Sequence, residues 1–321
     1  MSTKQAAVPS GDVVRATNQV LHKRTIPELQ GTAWRLSRDI LEITTRVGSG
    51  HPSSSLSAID ILCGLYFGGI LRYTAENPRW PDRDRFILSK GHGAPALYAV
   101  LAEAGYFEAS LTATLREINS PVEGHPNMRA LPGVEASTGS LGQGLSIGLG
   151  HALAARLNKL DYRVYVMIGD GESDEGQIWE AALGAAKYKM DNLTVILDYN
   201  GFQQTGSVNT VMPSLAPVVD KWEAFGWYVM EIDGHNMVEI MDALRALPNV
   251  VQQPQMIVAH TRKGRGLSPF EKNDVNRKHG EALDADELAT ALAELDEMKY
   301  WNGFGDVTPV ITPQDKYGDL A

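Results

Sequence analysis

Two apolar runs joined by a helical segment constrain the fold of this chain more than any other feature. The first run, residues 162–168, stops at Gly-Asp-Gly, and the second, residues 193–197, leads to Asp-Tyr-Asn. This order predicts a strand, a tight acidic turn, a helix and a second strand, so the two strands are expected to be parallel neighbours. The carboxyl ends of such strands face one crevice, and we expect Asp170 and Asn200, at the two strand ends, to reach one cation there.

The same alternation continues along the rest of the chain. Apolar runs predict further strands at residues 86–89, 227–232 and 255–260. Apolar residues at helical spacing predict helices at residues 26–47, 56–71, 94–104, 145–160, 218–225, 237–247 and 283–298. This alternation is typical of an α/β fold with a doubly wound, mainly parallel sheet and helices on both faces. We expect one domain over residues 26–282, an N-terminal arm over 1–25, and a C-terminal helix and tail over 283–321.

Composition excludes several classes of function. The chain has 321 residues and a net charge of -10, whereas nucleic-acid binding needs a clustered basic face, so no nucleic-acid partner is expected. One cysteine, Cys63, excludes a disulfide framework and a cysteine-based metal site, and favours a reducing compartment. No apolar run is long enough for a signal peptide or a membrane span. We therefore expect no membrane partner and a soluble, cytoplasmic protein.

The turn around Asp170 has the features of a metal and phosphate site. An Asp-Gly after a strand is, taken alone, usually only a turn. Here Gly169 and Gly171 flank the carboxylate and allow the backbone to approach a ligand closely. The helix expected after the turn would present its N-terminal amides to the crevice, which suits a diphosphate. Mg²⁺ prefers oxygen ligands shared between protein and phosphates, so Asp170, Asn200 and a carbonyl just past Asn200 are expected to bind it.

Three histidines lie in loops beside glycine or proline. They are His51, His92 and His125, the last of which lies in a long loop at residues 118–140. A lone histidine is usually structural, and we interpret His151 in that way. A neutral imidazole can donate to a phosphate or accept from a sugar hydroxyl, and its pKa allows it to exchange protons near neutral pH. We therefore expect the three loop histidines to be functional.

Taken together, these motifs resemble the transketolase family of thiamine diphosphate (ThDP) enzymes. The sequence GDG, followed after residues 172–199 by Asn, resembles the ThDP-binding motif. The longer sequence GDGESDEGQIWEA resembles transketolase specifically. GSGHPSSSLS, DRDRFILSKGHGAPALY, the GHP of residues 124–126 and TGSLGQGLS follow in the order of the family. The resemblance implies the ThDP-binding fold, with ThDP and Mg²⁺ or Ca²⁺ as cofactors. Asp170, Asn200 and the carbonyl of Phe202 would hold the metal.

The resemblance also implies roles for the histidines. His92 would contact the cofactor diphosphate, and His51 and His125 would face the hydroxyls at C1 and C2 of the donor sugar. His279, in a Lys-His-Gly sequence, would lie near both the diphosphate and the substrate. These four histidines are the catalytic residues that the resemblance implies.

Other residues match family positions at the cofactor. Gly139, Ser140 and Leu141 match the loop whose backbone touches the aminopyrimidine ring, with Ser140 in place of the usual proline. Ser53 and Ser54 stand where the family often has glycine and would narrow the donor pocket. Glu175 and Glu180 lie at the start of the helix expected after the turn, where acidic side chains are favourable in any protein. The resemblance implies that these two glutamates also link cofactor sites across a dimer interface. The remaining cofactor-binding residues that the resemblance implies are Gly169, Asp170, Gly171, Glu172, Asn200 and the two linking residues, Glu175 and Glu180.

In this family the enzyme moves a two-carbon ketol unit from a ketose to an aldose, both sugars or sugar phosphates. A glutamate of a pyrimidine-binding domain activates the cofactor, and no such domain is recognisable in this sequence. We therefore expect the N-terminal subunit of a split transketolase, inactive alone and joined in an α2β2 heterotetramer by a C-terminal subunit carrying that domain. Two alternatives stay open. One is a subunit of another ThDP enzyme, of the deoxyxylulose-phosphate synthase or 2-oxo acid dehydrogenase type, and the other is a non-catalytic, ThDP-binding regulatory subunit.

Overall fold

Five parallel strands form one sheet at the centre of the structure, a computed structural model that describes residues 23–300 and residue 303. The spatial order is β1-β2-β3-β5-β4, and every pairing is parallel. β2 and β3 are neighbours, as the sequence predicts, with Gly169 opposite Asp198. The strands are β1 (Arg85–Leu88), β2 (Val164–Gly169), β3 (Leu193–Tyr199), β4 (Tyr228–Asp233) and β5 (Gln255–His260).

Helices cover both faces of this sheet. The helices are α1 (Ile26–Val47), α2 (Pro52–Phe67), α3 (Ala94–Glu103), α4 (Gln143–Leu157), α5 (Gly176–Lys187), α6 (Val208–Val211), α7 (Val218–Ala224), α8 (Met237–Ala246), α9 (Ser268–Glu271) and α10 (Ala285–Glu297). One apolar core joins α1, α2, α3 and α8 to the sheet, and a second joins α4, α5 and α7 to its other face. Alternate side chains of β2 enter the two cores, as Tyr165 and Val166 do. The predicted doubly wound α/β fold is therefore confirmed.

Helix α1 shows how local sequence sets an element. Thr25 and Glu28 form a capping box, in which the Thr25 amide donates to Oε2 of Glu28 over 2.7 Å. Pro27 in the first turn needs no amide partner there. The helix ends at Gly48, whose left-handed φ of 65° is accessible to glycine at little cost.

Two helices differ from the prediction by three or more residues at one end or at both. α2 begins at Pro52 instead of residue 56 and ends at Phe67 instead of residue 71. Two of the serines after Pro52 satisfy their hydroxyls within the helix: Ser55 Oγ donates to the His51 carbonyl over 2.9 Å, and Ser57 Oγ donates to the Ser54 carbonyl over 3.1 Å. α4 spans residues 143–157 instead of 145–160, because it begins after Gly142 (φ 84°) and ends before left-handed Lys159.

Most of the expected arm and tail lies outside the described residues, namely at residues 1–22, 301–302 and 304–321. Within the described part, Lys23 bridges to Gly68, and α10 packs on α1 through a small apolar cluster that includes Leu41 and Leu295. The division into arm, domain and tail stays a prediction. None of the described helices is long and apolar enough to span a bilayer.

Candidate functional site

A cleft of about 240 Å³ lies at the carboxyl edge of the sheet. Segments that follow β1, β2, β3 and β5 all contribute to its lining, together with the first turn of α2 and the His279 loop. A larger cavity of about 700 Å³, lined by residues 77–79, 83 and 128–135, contains none of the residues expected to be functional. The smaller cleft is therefore the candidate site. Its lining residues are Ser54, Lys90, His92, Leu141, Gly169, Asp170, Gly171, Glu172, Asn200, Phe202, Gln203, Gln204, Thr205, Lys263 and His279.

Asp170 and Asn200 lie together at the base of this cleft. Each directly follows its strand, and their exposed fractions are 3% and 7%. The Asp170 carboxylate accepts from the amides of Gly171 and Gly201 over 2.9 and 2.7 Å, and Asn200 Oδ1 accepts from the Phe202 amide over 3.1 Å. Burial, followed by the charge of Asp198, raises the pKa of Asp170 to about 7. A buried carboxylate of this kind is suited to a divalent cation, which would favour its ionised form.

The turn after Asp170 differs from the sequence prediction. Gly171–Asp174 form one 3₁₀ turn, and α5 begins only at Gly176. The Ser173 amide donates to the Asp170 carbonyl over 2.9 Å, and the Ser173 hydroxyl donates to the Gly169 carbonyl over 2.9 Å. The cleft lining includes Gly171 and Glu172 but no residue of α5. The amides nearest the cleft therefore belong to the 3₁₀ turn, and the prediction that the α-helix presents them was wrong.

Glu172 connects three segments beneath the cleft. Its carboxylate accepts from the Ser89 hydroxyl, from the Gly142 amide over 2.9 Å and from the Gly169 amide over 3.2 Å. These donors belong to the ends of β1 and β2 and to the start of α4. Burial raises the pKa of Glu172, and the bonds from its donors oppose that shift. The side chain therefore holds the walls of the site together.

The loop that contains Gly139 packs against the loop of His92 with little free space. A Cβ at Gly91 would lie 2.7 Å from the Gly139 backbone nitrogen, so only glycine permits this approach. A Cβ at Gly139 (φ 151°) would lie 3.2 Å from the His125 ring. Leu141 lines the cleft, whereas Ser140 is exposed. The expected pyrimidine loop thus borders the same site as the histidines.

The four histidines that the resemblance implies form one cluster. The His51 ring centroid is 5.2 Å from that of His92, 6.3 Å from that of His125 and 5.1 Å from that of His279, and the His92 and His279 centroids are 4.9 Å apart. Burial, then nearby cations, lowers the pKa of His51 to about 4 and that of His279 to about 3. These rings are therefore neutral at physiological pH. The buried Nδ1 of His51 has no hydrogen-bond partner within the part of the chain that the structure describes.

Two buried lysines complete the site and were missed from the sequence. Lys90 forms an ion pair with Asp198, and its Nζ donates to the Ser54 carbonyl over 2.9 Å. Lys263 Nζ lies 2.7 Å from His279 Nδ1 and 3.5 Å from the Phe202 carbonyl oxygen. Burial lowers the pKa of Lys263 to about 8. The signal in the sequence was the position of each lysine. Lys90 comes two residues after the end of β1, and Lys263 comes three residues after the end of β5.

Some histidines and acidic residues lie outside the cleft. Glu175 and Glu180 are exposed at the start of α5, so the link across an interface that the resemblance implies for them stays a prediction. His151 lies on α4, where its structural role stays a prediction, and His260 Nε2 pairs with Glu231 over 2.8 Å.

The described residues contain no cluster of three or more His, Cys, Asp or Glu side chains that could hold a metal ion. The Asp170 carboxylate, the Asn200 amide and the Phe202 carbonyl could instead be the protein ligands of a metal site that a diphosphate would complete. Asp170, Asn200 and the two lysines provide the ligand types that ThDP with Mg²⁺ requires.

Comparisons with known proteins all find transketolases or their subunits. Residues 32–317 match the family described as transketolase, thiamine diphosphate binding domain. The chain is 43% identical over 270 residues to a 6-deoxy-6-sulfo-D-fructose transketolase subunit of a Clostridium strain, covering 84% of this chain and 97% of the relative. It is 40% identical over 258 residues to an apulose-4-phosphate transketolase subunit of Phocaeicola vulgatus, covering 80% of this chain and 90% of that relative.

Longer relatives match over part of their length. Human transketolase is 39% identical over 274 residues, which cover 85% of this chain and 43% of that protein. Among solved structures, transketolase from Campylobacter jejuni superposes with a TM-score of 0.76 at 32% identity, over 84% of this chain and 42% of that one. The similarity therefore extends from sequence to fold.

Proposed function

The chain belongs to the transketolase family, whose thiamine diphosphate binding domain it matches, and from this premise we propose that it is the subunit of a two-chain transketolase that binds the cofactor diphosphate. The reaction would transfer a two-carbon ketol unit from a ketose to an aldose, sugars or sugar phosphates. One observation carries the proposal. A single cleft at the carboxyl edge of the sheet contains Asp170, Asn200, His92 and His279, with the His51 ring beside them.

The ligand types in the cleft support binding of ThDP with a divalent metal. Asp170, Asn200 and the carbonyl oxygen of Phe202 would hold Mg²⁺ or Ca²⁺. Lys263 and His92 would bind the diphosphate, since a cation and a ring N–H both favour phosphate oxygens. Bound ThDP supplies an electron sink for breaking and forming a carbon–carbon bond beside a carbonyl.

The histidines would bind and orient the sugars. His51, His125 and His279 are neutral near pH 7, so each ring has one donor and one acceptor nitrogen, and Lys263 Nζ already occupies Nδ1 of His279. His51 Nδ1 is buried, and none of the described residues is a hydrogen-bond partner for it. The Gly139, Ser140 and Leu141 backbone would support the aminopyrimidine ring beside them.

The proposal includes a second chain. Relatives matched over 97% and 90% of their length are named subunits, whereas human transketolase is matched over 43%. We propose an α2β2 complex in which a C-terminal subunit contributes the pyrimidine-binding domain and the glutamate that activates the ring. Exposed Glu175 and Glu180 would then link cofactor sites across the dimer interface.

The free, buried Cys63 is consistent with a cytoplasmic location.

Replacement of Asp170 tests this function. We expect Asp170→Ala to abolish ketol transfer by the reconstituted complex and to prevent binding of ThDP with Mg²⁺, because the carboxylate is the charged protein ligand of the metal. Asp191→Ala, on the turn before β3, is the matched control and should retain both properties. A complex that keeps full ketol transfer with Asp170→Ala would instead favour a scaffold or regulatory subunit.

A further inference from the structure

Asp60 and Arg265 form an ion pair in the interior, outside the cleft. Both side chains are 2% exposed. Arg265 Nε donates to Asp60 Oδ2 over 3.0 Å, and its NH2 group donates to Asp60 Oδ1 over 2.8 Å. Although burial alone would raise the pKa of Asp60, Arg265 and His235 lower it. The pair therefore joins α2 to the loop after β5 by two charge-assisted bonds of fixed geometry.

His235 connects this pair to the backbone beside Lys263. Its Nδ1 lies 2.8 Å from Asp60 Oδ2, and its Nε2 accepts from the Arg262 amide over 3.0 Å. Since Nε2 accepts, the neutral ring carries its proton on Nδ1 and donates it to Asp60. The Asp60 carboxylate thus holds the loop at two points. It binds the Arg265 side chain directly, and through His235 it holds the backbone of Arg262, the residue that precedes Lys263.

The loop held in this way has an unusual backbone. Gly264, Arg265 and Gly266 have φ values of 80°, 57° and 78°, so three successive residues are left-handed. A non-glycine residue is disfavoured in this region and persists there only where its surroundings fix it. The Gly264 amide also donates to the Ser53 carbonyl over 2.9 Å, which ties the loop to the first turn of α2. This strained turn begins directly after Lys263, the lysine that enters the cleft.

We propose that Asp60, Arg265 and His235 are positioning residues that hold the 262–266 turn so that Lys263 Nζ faces the cofactor diphosphate. The inference rests on the proposed cofactor site and extends it to a network that does not touch the cofactor. A long lysine side chain has many rotamers, and a fixed backbone lowers the entropy cost of placing its ammonium group. The network therefore contributes to ThDP affinity through Lys263 and not merely to stability.

A double-mutant cycle on the full chain, with ThDP binding in Mg²⁺ measured by calorimetry, tests this role. Arg265→Lys keeps the charge but loses the two-bond geometry, and Lys263→Met removes the ammonium group. We expect Arg265→Lys to weaken binding about tenfold, as supporting residues of binding sites do. In the Lys263→Met background the same change should weaken binding by less than about twofold, because the lysine it positions is gone. If the fold-losses of ThDP affinity from Arg265→Lys and from Lys263→Met multiplied in the double variant, the proposal would be overturned.

Two further variants keep the test decisive. His235→Gln leaves the Asp60–Arg265 pair intact, so it decides the question if Arg265→Lys does not fold. It should weaken ThDP binding in the unaltered chain and not in the Lys263→Met background. Arg83→Lys breaks a comparable pair with Glu135 away from the cleft and should lower the melting temperature without changing affinity. Equal loss of affinity in Arg83→Lys would overturn the proposal, whereas failure of the unaltered chain to bind ThDP would contradict the cofactor site itself.

Discussion

The backbone amide of Gly201 donates to Oδ2 of Asp170 over 2.7 Å, which joins the two strand ends that carry the expected metal ligands. Asn200 precedes this amide in the chain, and its own Oδ1 accepts from the Phe202 amide. The bond fixes the separation of β2 and β3 at the cleft. The two hydrogen bonds fix the orientation of the Asp170 and Asn200 oxygens, and a fixed orientation lowers the entropy cost of holding a metal.

Asn200→Ala should weaken Mg²⁺-dependent ThDP binding about 10- to 100-fold, because it removes one proposed metal ligand and the oxygen that accepts from the Phe202 amide in the turn. Asn158→Ala, at the exposed end of α4, is the matched control and should bind normally. Calorimetric titration of both variants with ThDP in Mg²⁺ measures the difference. Wild-type affinity in Asn200→Ala would show that this side chain is no ligand.

Lys90→Met should lower the free energy of unfolding by about 3–5 kcal/mol, because it leaves the Asp198 carboxylate buried without its cation. The lysine and the aspartate are 1% and 0% exposed. Lys187→Met, on the surface of α5, should change stability little. Urea denaturation of both variants, and of Lys90→Met combined with Asp198→Asn, provides the comparison. The combined variant should recover part of the loss, and no recovery would count against this reasoning.

Two helical glycines should respond oppositely to replacement by alanine. A Cβ at Gly31, in α1, meets no atom within 4 Å, and Gly31→Ala should raise the free energy of unfolding by about 0.5–1 kcal/mol. A Cβ at Gly148, in α4, would lie 2.4 Å from Val166 Cγ2, and Gly148→Ala should lower it by about 1–3 kcal/mol. Chemical denaturation measures both, and the same sign for both changes would be inconsistent with the packing.

Stability should depend on pH through His51. Its pKa is lowered from 6.5 to about 4, chiefly by burial and next by Arg116. Between these values the unfolded chain binds a proton that the folded chain does not, so the free energy of unfolding falls as pH drops from 6.5 to 4 and the contribution levels off below that. Denaturation between pH 7 and 4 should show a shallower slope for His51→Gln, by up to about one proton. Equal slopes would contradict a buried, neutral His51.

The sequence predicted the sheet because each strand contains an apolar run of at least three residues, although β4 also carries the exposed Glu231. Strands buried on both faces need such runs, and Gly-Asp-Gly and Asp-Tyr-Asn marked the ends of β2 and β3. Those ends located Asp170 and Asn200 correctly. The family prediction, a transketolase N-terminal domain, is also confirmed.

Features that depend on tertiary contacts were not predictable. The start of α2 was misplaced because serines favour turns as readily as the back-bonded helix that they form after Pro52. Lys90 and Lys263 resemble surface lysines until the fold buries them. The Asp60–Arg265 pair spans residues far apart in the chain, and no local pattern indicates it. Sequence reasoning therefore placed the expected ligands at the strand ends and missed the Asp60–Arg265 network behind the cleft.

The most direct test of the central claim is a ketol-transfer assay on this chain, on a candidate pyrimidine-domain chain, and on their mixture, each with ThDP and Mg²⁺. We expect that this chain binds ThDP but transfers no ketol unit alone, and that the mixture is active. Transfer by this chain alone at the rate of the mixture would contradict the claim.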